Sequence, residues 1–217
     1  MVLQVYTSTP IQENPNRPAD HGNPGIGLMI TKALALNGAH KVYIVGRRKE
    51  KLDEAAKISP NIVGIVGDVT SKESLQAIAA QVRSEVGYVN LLVANSGSMG
   101  PRNPVMSGEG TVAEFAKAGF ETSWDDFNST MNVNVTAVLY TSYAFLELLD
   151  EGNKRNIIPE TKSQILVTAS IAAFNKMANL SMAYKSSKAA VTLVAKTLAV
   201  ELVPYSIRVN SLAPGSK

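Results

Sequence analysis

The stretch Gly25-Ile26-Gly27-Leu28-Met29-Ile30-Thr31-Lys32-Ala33-Leu34-Ala35-Leu36-Asn37-Gly38-Ala39-His40-Lys41-Val42-Tyr43-Ile44-Val45-Gly46 decides the fold. Residues 26–38 read as a helix closed by Gly38, the residue best suited to the left-handed turn that ends a helix. Lys41 to Val45 reads as a short buried strand. Its side chains are apolar without alternation, as expected of a strand covered on both faces.

Working outward, helix and strand patterns continue to alternate. Residues 48–57 predict a polar helix and Asn61 to Val66 a strand. Thr70 with Glu73 has the form of a capping box, opening a helix with Leu75, Ile78, Ala79, Val82 and Val86 on one face. Val89 to Ala94 is another apolar strand. Residues 95–122, rich in Gly, Pro and Ser, predict loop with room for one short helix. Ser123 is placed to cap a long helix over about 124–150. Gln164 to Ala169 reads as a strand, 180–203 as a helix stopped by Pro204, and Ile207 to Leu212 as a last strand.

Strands separated by helices imply parallel pairing through right-handed crossovers. The expectation is one doubly wound α/β domain over residues 1–217, a Rossmann-type parallel sheet. Six strands in the order 3-2-1-4-5-6 result if residues 2–7 supply the first. Nothing else precedes the glycine turn that could, and a central strand cannot be omitted without stripping its neighbours of ladder partners. Residues 8–24, with four prolines and little apolar surface, then form an irregular inserted loop. The helices at 124–150 and 180–203 are expected side by side on one sheet face.

Composition narrows the function. The densest basic run, Gly46-Arg47-Arg48-Lys49-Glu50-Lys51, contains an acid and reads as a solvated helix start, so no nucleic-acid partner is expected. There is no Cys, and the two His, His21 and His40, are far apart, so no metal site is expected. No apolar run is long enough to span a bilayer and no signal peptide is visible at Met1, so a cytoplasmic protein without a membrane partner is expected.

Tyr184-Lys185-Ser186-Ser187-Lys188 carries the chemistry. A Tyr and a Lys four apart share one helix face. A nearby ammonium favours a phenolate and so lowers a tyrosine pKa from its ordinary value. Ser170 could share the same substrate oxygen. A general acid, an activator and an orienting hydroxyl suit the reduction of a carbonyl or the oxidation of an alcohol. Gly25-Ile26-Gly27 at a helix start can cradle a pyrophosphate, or can be merely a tight turn.

Together these residues give the chain its resemblance to the short-chain dehydrogenase/reductase family. The matches run in order: Gly25-Ile26-Gly27; Gly46-Arg47-Arg48; Gly67-Asp68-Val69; Ala94-Asn95-Ser96-Gly97; Asn132-Val133-Asn134-Val135; Ser170; Tyr184 and Lys188; Pro214-Gly215. They cover about residues 25–215. The resemblance implies that Tyr184 donates or accepts the proton and that Lys188 activates it and holds the nicotinamide ribose. It implies further that Ser170 orients the carbonyl and that Asn134 supports a water-linked proton path to the lysine. Gly25, Ile26, Gly27, Arg47, Arg48, Asp68, Val69, Asn95, Gly97, Pro214 and Gly215 are implied in cofactor binding, Asp68 and Val69 at the adenine. The small-molecule substrate is then a carbonyl compound or an alcohol.

Gly46 stands where an acid would serve the ribose of NAD, and Arg47-Arg48 follow. A guanidinium suits a 2′-phosphate, so NADP is favoured over NAD. The family's dimer helices correspond to 124–150 and 180–203, implying a homodimer or homotetramer. The sequence departs from the family at two places. Asp20 and His21 occupy its Thr-Gly positions, and the chain stops at Gly215-Ser216-Lys217 without the family's substrate-covering segment. Two readings follow: an NADP-dependent oxidoreductase, or a non-catalytic dinucleotide- or partner-binding remnant of the same family.

Overall fold

The computed structural model describes residues 2–5, 25–101, 110–157, 159–176 and 180–215. The expected irregular loop 8–24, with Asp20 and His21, lies outside them. Six strands form one sheet: β1 (Val2–Val5), β2 (Val42–Gly46), β3 (Ile62–Val66), β4 (Leu91–Ala94), β5 (Gln164–Thr168) and β6 (Arg208–Leu212). Their order is β3-β2-β1-β4-β5-β6 and every pairing is parallel. The expected N-terminal strand occupies the centre: Val2 pairs with Val42 on one side and Leu91 on the other. Strand ends differ from the sequence reading by one or two residues, as hydrogen-bond boundaries commonly do.

The helices are α1 (Ile26–Leu36), α2 (Lys49–Ala56), α3 (Lys72–Glu85), α4 (Val112–Phe120), α5 (Trp124–Met131), α6 (Ala137–Ala144), α7 (Leu146–Arg155) and α8 (Met182–Glu201). On one face of the sheet, α1 and α2 cover Val42, Ile44, Ile62 and Val93. On the other, α3, α6, α7 and α8 close over Tyr43, Val45, Leu92, Ile165 and Val167. The inner strands β2 and β4 are apolar on both faces because both faces are buried, which is why they lack alternation, whereas the edge strand β6 is largely exposed.

Two local expectations are corrected. First, α3 is capped by Ser71, whose Oγ accepts from the Ser74 amide. Thr70 lies one residue too early, held in a turn by its amide and hydroxyl, which both donate to Asp68 Oδ1, at 2.9 and 2.7 Å. Secondly, the helix expected over 124–150 is interrupted. Asn132–Thr136 is a π-helical segment, and a further break falls at the buried Phe145 before α7. Asn and β-branched residues hold a helix weakly, so Asn-Val-Asn-Val-Thr yields where tertiary contacts pull on it. The loop 95–122 contains the one short helix expected there, α4, whose N-terminus is a full capping box between Thr111 and Glu114.

Gly38 follows α1 at φ +86°, as expected of the residue after a helix end. Gly152 lets α7 lie against β4: a Cβ there would stand 2.2 Å from the Val89 carbonyl oxygen. At the opposite end of the sheet from the strand C-termini, Glu85 joins α3 to β2. Its Oε2 accepts from Tyr43 Oη at 2.5 Å and from Lys41 Nζ at 2.7 Å, and its Oε1 accepts from Gln81. These three donors hold the Glu85 carboxyl down at about 2.

Candidate active site

All six strands run the same way, so residues that follow them meet at one edge. Gly25 opens α1, Arg47 follows β2, Asp68 follows β3, Asn95 and Gly97 follow β4, Ser170 follows β5 and Pro214 follows β6. The sheet order reverses between β1 and β4, and the crevice outside the C-terminal ends of such strands is where open α/β sheets bind ligands.

The centre of this edge is Lys188. One turn beyond Tyr184 on α8, it is only 3% exposed. Its Nζ donates to the Thr168 carbonyl at 2.6 Å and stands 5.8 Å from the centre of the Tyr184 ring. Burial pushes its amine down to about 8. Tyr184 is half-buried, and its amide meets the Ser181 Oγ that caps α8.

Asn134 is fully buried in the π segment. Its Nδ2 donates to the Ser98 carbonyl at 2.9 Å and to Ser187 Oγ at 2.8 Å, while its Oδ1 accepts from the Ser98 amide at 2.7 Å. Both N–H bonds of the side chain are thus spent. Gly97 sits between the two groups. A Cβ there would lie 3.4 Å from Asn134 Oδ1 and 3.6 Å from Lys188 Nζ.

Ser170, also buried, accepts from the Ala172 amide through Oγ at 3.1 Å, a bond that does not use its hydroxyl proton. It stands two residues past the carbonyl that binds Lys188. Asn95 accepts from the Thr168 hydroxyl at 2.9 Å and so ties the ends of β4 and β5 together. Pro214 accepts from the Ile171 amide at 3.0 Å, which seats the Pro214-Gly215 turn beside Ser170.

The other wing of the crevice is formed by the ends of β2 and β3. The Gly67 amide donates to Gly46 at 3.0 Å. Burial of Asp68 opposes its ionisation. The Thr70 amide and hydroxyl and the nearby Arg47 guanidinium outweigh that and hold the carboxyl below its usual range. Arg47 is exposed and Val69 buried.

The residues fit a dinucleotide by their chemistry. An eleven-residue helix opens with Gly25-Ile26-Gly27 at the strand ends. The side-chain-free Gly97 faces an ammonium, and a guanidinium lies at the end of β2. Sequence reasoning missed Thr168, Ser98 and Ser187. The first two act through backbone groups, which leave no mark on composition. Ser187 was accessible, since three residues from Tyr184 is the same helix face. Among the described residues there is no group of three His, Cys, Asp or Glu placed to hold a metal, and no helix long and apolar enough to cross a membrane.

A parallel, doubly wound sheet with a tyrosine–lysine helix turn at its C-terminal edge defines a nucleotide-linked oxidoreductase scaffold. The chain belongs to the short chain dehydrogenase family, whose sequence profile matches residues 22–216. It is 45% identical over 197 residues to the short-chain dehydrogenase/reductase PhomF′ of Diaporthe leptostromiformis, a match covering 89% of this chain and 67% of that protein. It is 41% identical over 200 residues to the short-chain dehydrogenase/reductase SAT3 of Stachybotrys chartarum, covering 86% of this chain and 73% of the relative. Among solved structures it is similar to the RhlG/NADP active-site complex of Pseudomonas aeruginosa: TM-score 0.75, 26% identity, 100% of this chain and 73% of the other. A 3-ketoacyl-(acyl-carrier-protein) reductase of Brucella melitensis complexed with NADH shares the fold, with a TM-score of 0.73 at 24% identity over 99% of this chain and 75% of that one.

Proposed function

We propose that this protein is an NADP-dependent oxidoreductase that interconverts a carbonyl compound and a secondary alcohol, with Tyr184 as acid and base. A bound nicotinamide dinucleotide supplies or receives the hydride. The observation that carries the reading is the buried Lys188 ammonium, held by Thr168 one turn from Tyr184 and facing Gly97. A positive charge kept there stabilises the phenolate that forms as Tyr184 gives its proton to the substrate oxygen. Ser170 orients that oxygen with its unspent hydroxyl proton. Asn134 has no side-chain proton to give, so any water it holds on a path to Lys188 is bound through an oxygen.

The preference for NADP rests on Arg47, exposed at the end of β2 where Gly46 leaves no carboxylate. RhlG, solved with NADP, is compatible with that preference. Self-association through α6 and α8 is supported by apolar side chains left exposed there, Tyr140 and Tyr143 on one helix and Leu193 and Val200 on the other.

The test is a Tyr184→Phe variant. NADPH binding, followed by its fluorescence, is expected to persist. Hydride transfer to 2,2,2-trifluoroacetophenone, an activated ketone, is expected to fall by ~10²-fold or more. Full activity in the variant refutes the role of Tyr184. NADPH binding without turnover in the parent chain favours the non-catalytic remnant.

A further inference from the structure

We infer that Ser187 is a positioning residue, locking the Tyr184–Lys188 turn to the loop after β4 through Asn134; its kinetic consequence rests on the reaction proposed above. The inference follows from counting protons. A serine hydroxyl has one proton to give. The Ser187 hydroxyl gives it to the Tyr184 carbonyl at 2.8 Å, because a carbonyl oxygen can only accept. Ser187 Oγ can then meet its other neighbour only as an acceptor, and Asn134 Nδ2 lies 2.8 Å away.

That fixes the Asn134 amide from one side, and the Ser98 amide fixes it from the other by donating to Oδ1 at 2.7 Å. A flipped amide would set donor against donor at Ser98 and leave Ser187 Oγ facing an oxygen whose proton it has already given elsewhere. The orientation therefore has one solution. Ser187 and Asn134 are both 0% exposed, so water cannot replace a lost partner cheaply.

Three elements are joined by this chain of bonds: the loop after β4, the π segment and α8. The joint lies beside the reacting groups. Gly97, next to Ser98, faces Lys188 Nζ, and the carbonyl that Ser187 holds is that of Tyr184 itself. Removing the Ser187 hydroxyl leaves one Asn134 N–H unpaired and unties α8 from the Asn134–Ser98 pair, whose own two hydrogen bonds remain. The Ser98 loop then loses its fixed distance from Lys188.

The experiment is a double-mutant cycle on the full chain with Ser187→Ala, Asn134→Ala and the pair, using NADPH and 2,2,2-trifluoroacetophenone. Ser187→Ala is expected to lower kcat about tenfold with the KM for NADPH within about twofold, and to cost nothing further once Asn134 is Ala. A merely structural serine would lower Tm while leaving kcat per folded molecule unchanged, and that result overturns the inference, as do additive losses. A second arm reads the Asn134 side-chain amide by ¹H–¹⁵N NMR. Both protons are expected to exchange slowly in the parent, and the one bonded to Ser187 to exchange rapidly in Ser187→Ala. Rapid exchange in the parent also overturns the inference. A parent chain that leaves the ketone unreduced while its Asn134 amide exchanges slowly keeps the lock and loses the reaction, which separates the two failures.

Discussion

Replacing Lys188 by Met is expected to make the protein more stable at neutral pH and inactive. The buried amine falls from an ordinary 10.5 to about 8 because burial disfavours its charge. A difference of that size corresponds to about 3 kcal/mol. The sign follows from proton binding. Below pH 8 the folded and unfolded chains both carry the proton, and the whole cost of burying the charge is present. Between pH 8 and 10.5 the folded chain has released the proton while the unfolded chain keeps it, so stability rises with pH and the cost disappears. Met fills similar space without a charge, but it abandons the bond to the Thr168 carbonyl, a loss of about 1.5 kcal/mol. The net gain at pH 7 is therefore about 1–2 kcal/mol. For a chain of this length that raises Tm by roughly 3–6 °C. The assay is thermal and guanidinium unfolding of parent and variant at pH 7 and pH 10, without nucleotide. The advantage should be present at pH 7 and gone, or reversed, at pH 10. A Lys188→Met protein less stable than its parent at pH 7, or a difference that ignores pH, refutes the reasoning.

Arg47→Ala is expected to weaken NADPH by about 1.5–3 kcal/mol, the scale of a charge-assisted hydrogen bond, and to leave NADH within about twofold in a fluorescence titration; equal losses for both cofactors would sink the NADP preference. Glu85→Gln is expected to cost about 1 kcal/mol at pH 7, a figure discounted for the solvent that reaches a side chain one-third exposed. Because the Glu85 carboxyl is depressed to about 2, the contribution is complete above pH 4.5 and lost as the pH falls through 2, so the Tm difference from the parent should vanish near pH 2.

Much of the architecture could be read before any coordinates. The apolar, non-alternating runs pointed to parallel strands, and the need for ladder partners placed residues 2–7 at the centre of the sheet, where Val2–Val5 pair with β2 and β4. What escaped was decided by competition between near-equal local choices. Thr70 and Ser71 are both competent helix caps. The Asp68 carboxylate holds the Thr70 amide and hydroxyl in a turn, so the helix starts one residue later with Ser71 as cap, an outcome that depends on where the β3 end delivers a carboxylate. The break in the long helix was equally hidden. Nothing local marks Asn132–Thr136 as π-helical. The widened turn makes sense only with Asn134 bonded across to Ser98 and Ser187.

The departures from local rules gather at the C-terminal edge of the sheet. Among the described residues Lys188 is a buried cation without a carboxylate partner and Ser96, just before Gly97, has a buried hydroxyl with no hydrogen-bond partner, while the π segment interrupts a helix. Each is unfavourable for stability alone. At the other end of the same strands the charges are matched: the Glu85 carboxylate receives Lys41, Tyr43 and Gln81, although Asn61 Oδ1, just before β3, is buried there without a partner among the described residues. A chain selected only to fold would have no reason to pair its charges at one end and bury an unpaired one at the other. Natural sequences break such rules where function requires it. The asymmetry between the two ends of the sheet is thus an argument for a working site at the Lys188 end, and it does not depend on resemblance to any other protein.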